Sequence, residues 1–363
     1  MKRKFAKIMV AAILIAIFVQ LELTYITGSS QASASGISGA QTVSAAGAAG
    51  SVYYRNKVIV LMYHDVSDHH DPKSLSLAKF KEQLRLMKEN HFHWITMEQY
   101  KAFILRGAAV PDNAVLLTFD DGYETFYTDT YPILKQFHAP ATNFLIVSTI
   151  GNPAHKGVAK LNWNQVREMR RSGYDFYSHT FDSHAYMAAD LSGKKQVPML
   201  MKRIYLKEKH RRETEHEYER RITNDLRRAN EVLYRELGIR SDVLAFPYGA
   251  YSKPLLKVCD RLGITVTLTV KSGIDEAGQR NGFRVNAGGM DNDPKALIAV
   301  MKKGPEALGN SRFGIAANRM FYLQLTMLAF TIALLLFVRF RFSLAAQRGK
   351  LGWMKWKRWS SAS

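Results

Sequence analysis

Two adjacent carboxylates, Asp120 and Asp121, end the apolar run at residues 115–119 and are followed at once by Gly122. A buried strand that runs straight into charge delivers those side chains to the mouth of a fold. A carboxylate pair there allows one member to bind a metal ion while the other handles a proton. Side chains alternate along a strand, so the two are expected to point in different directions. Taken alone, the segment also reads as a strand closing in an Asp-Gly turn.

A second reactive stretch, residues 178–184, reads Ser-His-Thr-Phe-Asp-Ser-His and carries His179 and His184. That spacing would splay two imidazoles on a helix, whereas a loop after a strand can turn both toward one point. Two His and one Asp make an ordinary ligand set for zinc or a related divalent ion, with an open position for water. A polar surface loop is the plainer reading of the two histidines by themselves. His64 follows the apolar run 58–63, His179 follows 174–177 and Pro247-Tyr248 follows 243–246, so these groups, like Asp120 with Asp121, each lie at the C-terminal end of such a run. His69, His70, His91, His93, His155, His210 and His216 lack that setting and read as surface residues. Cys259, the single cysteine, excludes an internal disulfide and a cysteine-based metal site, and falls in a helical stretch as packing.

The elements that must position these groups alternate. Strands are expected over 58–63, 115–119, 142–147, 174–177, 243–246 and 264–270. Helices are expected over 77–90, 97–105, 131–137, 164–172, 219–237 and 253–262. Ser76 is placed to cap the first helix, Thr96 and Gln99 form a capping box on the second, and Gly173, Gly238 and Gly263 end three others. This alternation argues for a parallel α/β architecture, with a (β/α) barrel ahead of an open sheet, because a barrel brings the C-terminal ends of its strands to one mouth.

The ends of the chain are of another kind. Residues 1–27 join a basic start to an apolar run and read as a signal peptide or an N-terminal membrane anchor, with Ala32-Ser33-Ala34 as a small-x-small cleavage site. Residues 28–52 are a flexible Ser/Ala/Gly spacer. Residues 53–303 are the folded domain and 304–319 a linker. Residues 320–338 hold no charge and, at about 1.5 Å per residue, reach roughly the 30 Å of a bilayer core. The tail at 339–363 is basic and carries Trp353, Trp356 and Trp359, which predicts a cytoplasmic interface. The membrane-flanking tails account for much of the formal charge of +20 without invoking nucleic acid. A second basic zone, 194–240, mixes Lys and Arg with Glu; Ile222, Leu226, Ala229 and Leu233 give it one buried helical face, the rest being solvated or meeting anionic wall polymers or lipid headgroups.

Thr118-Phe-Asp-Asp-Gly122, His179-Thr180 with His184, and Phe246-Pro-Tyr-Gly249 together resemble the NodB-type polysaccharide deacetylases, carbohydrate esterase family 4. Within it, Met62-Tyr-His-Asp-Val66 is similar to the branch that deacetylates poly-β-1,6-N-acetylglucosamine, as intercellular-adhesion deacetylases do. The resemblance implies a distorted (β/α) barrel and a metal-dependent N-deacetylase. Asp121, His179 and His184 would hold a divalent ion, zinc before cobalt or nickel. Asp120 would be the general base toward the attacking water, the backbone N–H of Tyr248 an oxyanion donor, and His64 the proton donor to the departing amine. Asp65 is placed either to orient His64 or to form a turn. Two departures stand out: Ala245 occupies the place of an Arg that steadies the catalytic Asp in the wider family, and the usual Asp-Trp motif is not apparent. Arg284, in Phe283-Arg-Val285, is the candidate replacement. The expected partners are an N-acetylglucosamine polymer outside the cell, membrane lipids and exopolysaccharide synthesis or export machinery. Peptidoglycan or chitin oligomers as substrate, and a silent polysaccharide-binding scaffold, are the competing expectations.

Overall fold

The computed structural model describes residues 51–69, 74–288 and 292–308. The expected N-terminal segment, the Ser/Ala/Gly spacer up to residue 50, the 320–338 span and the basic tail lie outside them. Among the described residues no helix is long and apolar enough to cross a membrane.

Among the described residues nine strands form one sheet: β1 (Val58–Tyr63), β2 (His93–Trp94), β3 (Ala114–Asp120), β4 (Thr142–Leu145), β5 (Asp175–Ser178), β6 (Val243–Ala245), β7 (Val266–Leu268), β8 (Asn281–Gly282) and β9 (Val285–Asn286). Their order is β8-β7-β6-β5-β4-β3-β1-β9, and every pairing is parallel. β2 pairs with β3 at Ala114 and Val115, while β4 takes over at Thr118–Asp120. The crossovers run through helices α1 (Leu77–Glu89), α2 (Met97–Arg106), α3 (Tyr131–Phe137), α4 (Trp163–Arg171), α5 (Glu215–Leu237) and α6 (Lys253–Arg261); α7 (Pro294–Lys303) follows β9.

The two edge strands of this order, β8 and β9, are consecutive in the chain and separated only by Phe283 and Arg284. Three peptide steps span at most about 11 Å, so the sheet must curl until its edges nearly meet. No ladder joins β8 to β9 among the described residues. The expected parallel α/β architecture is therefore present as a curled half-barrel, and the final gap is bridged by covalent chain.

Alternation along β1 and β3 divides their side chains between two of the hydrophobic clusters. Ile59, Leu61, Tyr63, Val115, Leu117 and Phe119 pack into a large cluster with α1, α3 and α4. Val58, Val60, Ala114 and Leu116 join residues of β4 to β7 in a second cluster, filled by Met97, Tyr100, Phe103 and Ile104 of α2. Helix α2 thus plugs one end of the curl. Thr118 and Asp120 continue the parity of Ala114 and Leu116, which turns the carboxylate to the concave side at the open end.

The capping box of Thr96 and Gln99 and the Ser76 cap are present, and Gly238 ends α5 at φ 69°. Helix α5 begins at Glu215, four residues before the expected start, because Thr214 and Glu217 form a further capping box. The strand expected over 264–270 contracts to Val266–Leu268. Two small hairpins, Tyr186–Ala188 with Gln196–Pro198 and Tyr205–Leu206 with Arg211–Arg212, lead into the basic zone, the first straddling its start. There Glu217 pairs with Lys209 and Arg211, and Glu213 with Arg221, so part of its charge is neutralised internally.

Candidate active site

His64, Asp120, Asp121, His179 and Tyr248 all stand at or just beyond the C-terminal ends of β1, β3, β5 and β6, and His184 joins them from the loop after β5. The Nε2 atoms of His179 and His184 lie 3.6 and 3.5 Å from Asp121 Oδ1. One ligand atom from each of the three falls within 4.8 Å of the other two. Asp121 Oδ1 is buried and accepts no hydrogen bond among the described residues. An orphaned carboxylate oxygen facing two imidazole nitrogens is the arrangement a divalent cation satisfies, so the residues fit the expected ion.

His179 is prepared for that task. Its Nδ1 lies 2.7 Å from the Ala245 carbonyl oxygen, which can only accept, so Nδ1 carries the proton and Nε2 offers a lone pair. Burial pushes its pKa down to about 4, against the pull of Asp120 and Asp121, and the ring is neutral near pH 7. Position 245, where the wider family's Arg is missing, thus contributes through its backbone.

Asp120 and Asp121 do not diverge as simple alternation predicts. Asp121 has left the extended conformation, with φ 74°, and this kink swings its carboxylate back to the same imidazole that Asp120 Oδ2 approaches at 4.0 Å. Gly122 follows at φ 67°, a conformation that strains an L side chain, and a Cβ there would press on the side-chain tips of Ile150 and Leu145 at 2.8 and 2.9 Å, so glycine is the residue that suits the second turn position. Lys160 donates to the Asp121 carbonyl at 3.0 Å and braces the kink from outside.

Arg284 is the residue that completes the Asp120 environment. It is fully buried, donates from Nη1 to Asp120 Oδ1 at 2.7 Å and from Nε to the Thr269 carbonyl at 2.8 Å. Burial pushes the Asp120 carboxyl up, but the Arg284 guanidinium, with His179 and His64, outweighs it and holds the group below the usual carboxylate range. His64 Nε2 stands 3.9 Å from Asp120 Oδ2 at the solvent side. The Asp65 carboxylate accepts from Thr125 at 2.7 Å and Ser74 at 3.2 Å, tying the β1 loop to the turn after β3.

Tyr248 sits in the turn Pro247–Gly249 at φ 57°, its ring 4.7 Å from that of His184 and 4.4 Å from that of Tyr186. Tyr186 was not expected at the site, and no sequence pattern marks it. His91, His93, His210 and His216 are exposed and away from the cluster, as expected of surface residues, and His69 and His155 are also outside it. His70 lies outside the described residues. Cys259 is buried within α6.

The polysaccharide deacetylase family model matches residues 107–267, a range that holds Asp120, Asp121, His179, His184 and Tyr248 but neither His64 nor Arg284. The chain is 31% identical over 258 residues to the poly-β-1,6-N-acetyl-D-glucosamine N-deacetylase of Escherichia coli (strain K12), covering 67% of this chain and 37% of that protein's length. The Staphylococcus epidermidis protein of the same name is 26% identical over 60% of this chain and 74% of its own. Among solved structures, the de-N-acetylase of Aggregatibacter actinomycetemcomitans matches with a TM-score of 0.58 and 27% identity, over 63% of this chain and 94% of that one. By its motifs, its curled parallel sheet and these likenesses, the chain carries a polysaccharide deacetylase domain of the NodB type.

Proposed function

We propose that the protein is a metal-dependent N-deacetylase that removes acetyl groups from N-acetylglucosamine units of an extracellular polysaccharide, poly-β-1,6-N-acetylglucosamine being the best-supported polymer. The observation that carries this reading is the convergence of Asp121 Oδ1 and the Nε2 atoms of His179 and His184 beside a separately anchored carboxylate, Asp120. The names of the Escherichia coli and Staphylococcus epidermidis relatives support the polymer.

An acetamide is a weak electrophile with a poor leaving group, so its hydrolysis needs both carbonyl polarisation and a proton for nitrogen. A divalent ion held by Asp121, His179 and His184, zinc before cobalt or nickel, supplies the Lewis acidity. Asp120, kept ionised by Arg284, takes a proton from the water whose oxygen bonds to the carbonyl carbon. The Tyr248 backbone N–H is the donor to the oxyanion that forms. His64 gives a proton to nitrogen as the carbon–nitrogen bond breaks, and acetate and a sugar amine leave. Acceptor and donor, 3.9 Å apart, share one rim. Each amine released is largely protonated near neutral pH, so the polymer gains positive charge and adheres better to anionic surfaces.

Arg284 takes the place expected of the missing family Arg, which weakens the reading of a silent polysaccharide-binding scaffold. Cell-membrane anchoring with the domain outside and the tail inside, contact with membrane lipids and coupling to export machinery belong to the same proposal and rest on the composition of the two ends. Acetate release from poly-N-acetylglucosamine, peptidoglycan and chitin oligomers, with and without chelator, tests the reading. Release from the first that is lost with chelator and falls about 10²–10⁴-fold in Asp120→Asn is expected; binding without release at full metal occupancy overturns it.

A further inference from the structure

We propose that Asp225 is a positioning residue for the metal ligands, and that it acts by clamping the turn that sets the distance between His179 and His184. This rests on the metal-dependent reading above. The two histidines are joined by Thr180-Phe-Asp-Ser183, and Thr180 is held at φ 83° although it is β-branched and fully buried. A β-branched residue in that region is strained and persists only where its surroundings over-determine it.

The surroundings do so from two sides. From the sheet side, Val147 N donates to the Thr180 carbonyl at 3.1 Å and Ser148 N to that of Phe181 at 2.9 Å. From the helix side, Asp225 accepts from two successive amides, Phe181 N at 3.0 Å on Oδ2 and Asp182 N at 2.9 Å on Oδ1. One turn further along α5, the Arg228 guanidinium covers the Phe181 ring at 4.0 Å. Helix α5 is itself fixed, because Ile222, Leu226, Ala229 and Leu233 bury its inner face.

The two metal histidines depend on this clamp unequally. His179 has its own anchors, a backbone N–H to the Leu145 carbonyl at 2.8 Å and Nδ1 at the Ala245 carbonyl. His184 follows the turn. Loss of the Asp225 carboxylate frees Thr180 to relax and shifts His184 against Asp121, and partners that orient metal ligands typically carry 10–100-fold in metal affinity.

The test is metal affinity of the full chain, measured by competition with a chromophoric chelator for Zn²⁺, in the parent, Asp225→Asn, His184→Ala and the double variant. Amide exchange at Phe181 and Asp182 in the metal-free parent and Asp225→Asn reads the clamp directly. Expected are a 10–100-fold weaker site in Asp225→Asn, faster exchange at both amides, and no further loss when Asp225→Asn is added to His184→Ala. Parent-like affinity in Asp225→Asn overturns the inference while leaving the metal reading intact, as does additive loss in the double variant. A parent chain that binds no ion overturns both.

Discussion

Arg284 Nη1 and Asp120 Oδ1 meet at 2.7 Å, joining the link between the two edge strands of the curled sheet to the tip of β3. The link that brings the two edges of the sheet together is therefore also the one that holds the proposed base. Both side chains are buried, and Arg284 makes a second hydrogen bond to the Thr269 carbonyl, so the guanidinium is aimed from two points.

Arg284→Met should cost stability and activity together. It strips a buried carboxylate of its cation, and breaking a buried pair from one side typically costs about 3–5 kcal/mol. Urea unfolding measures the loss. Adding Asp120→Asn to Arg284→Met removes the stranded charge, so the double variant should lose less than the sum of the two single changes. Arg284→Lys should not restore the parent, because one ammonium cannot reproduce the planar fork that serves both Asp120 and Thr269. Additive losses, or full rescue by Lys, would remove the pair from the account.

Metal should stabilise the folded chain through three named side chains. Ligand at a hundred times its Kd adds about 2.7 kcal/mol to stability, equivalent to roughly 5–10 °C in Tm for a domain of this size. The shift should appear with Zn²⁺ in the parent, vanish with chelator, and be absent in Asp121→Asn, whose orphaned Oδ1 then belongs to a neutral amide. An equal shift in Asp121→Asn would place the ion elsewhere.

Most of the frame was legible in the sequence, and the reasons are local. Val115 to Phe119, the Thr96–Gln99 capping box and the Gly238 stop each follow from residue type at short range. The Asp121 kink was not, since alternation assumes an extended backbone and φ 74° breaks it. The Asp120–Arg284 pair spans 164 positions, and only the gap left by Ala245 pointed toward it. Asp225 had no such signal: it reads as one more charge on a mixed helix until the fold lays α5 against the 180–183 turn. The short hairpins of the basic zone escaped for the opposite reason, their strands being two or three residues long and without periodicity.

The turn that carries Tyr248 depends on a glycine. Gly249 stands at φ 63°, and a Cβ there would come within 2.5 Å of the Val270 backbone nitrogen, which cannot swing away. Gly249→Ala should therefore destabilise by about 1–3 kcal/mol and displace Tyr248. Thermal unfolding gives the first effect. The second should appear as a fall in turnover with metal affinity retained, because neither Asp121, His179 nor His184 lies on that turn. Parent-like unfolding in Gly249→Ala would show that the turn yields freely.

Asp275 gives the fold a pH dependence of its own, far from the metal ligands in sequence. Complete burial pushes its carboxyl up to about 7, although Tyr100 at 2.6 Å, the Phe283 N–H at 2.8 Å and Gln279 at 3.1 Å all donate to it and pull the other way. In the unfolded chain the group titrates near about 3.9. Between these values the folded state keeps a proton that the unfolded state has released, so this contribution is complete below about pH 4 and is lost as pH rises to about 7. Three units correspond to about 4 kcal/mol at most. Asp275→Asn keeps the shape and carries no titration, so the difference in unfolding free energy between parent and variant should drift against the parent across that window and level off above it. A difference that stays constant from pH 4 to 8 would mean that Asp275 is ionised throughout, with its three donors sufficient to hold a buried charge.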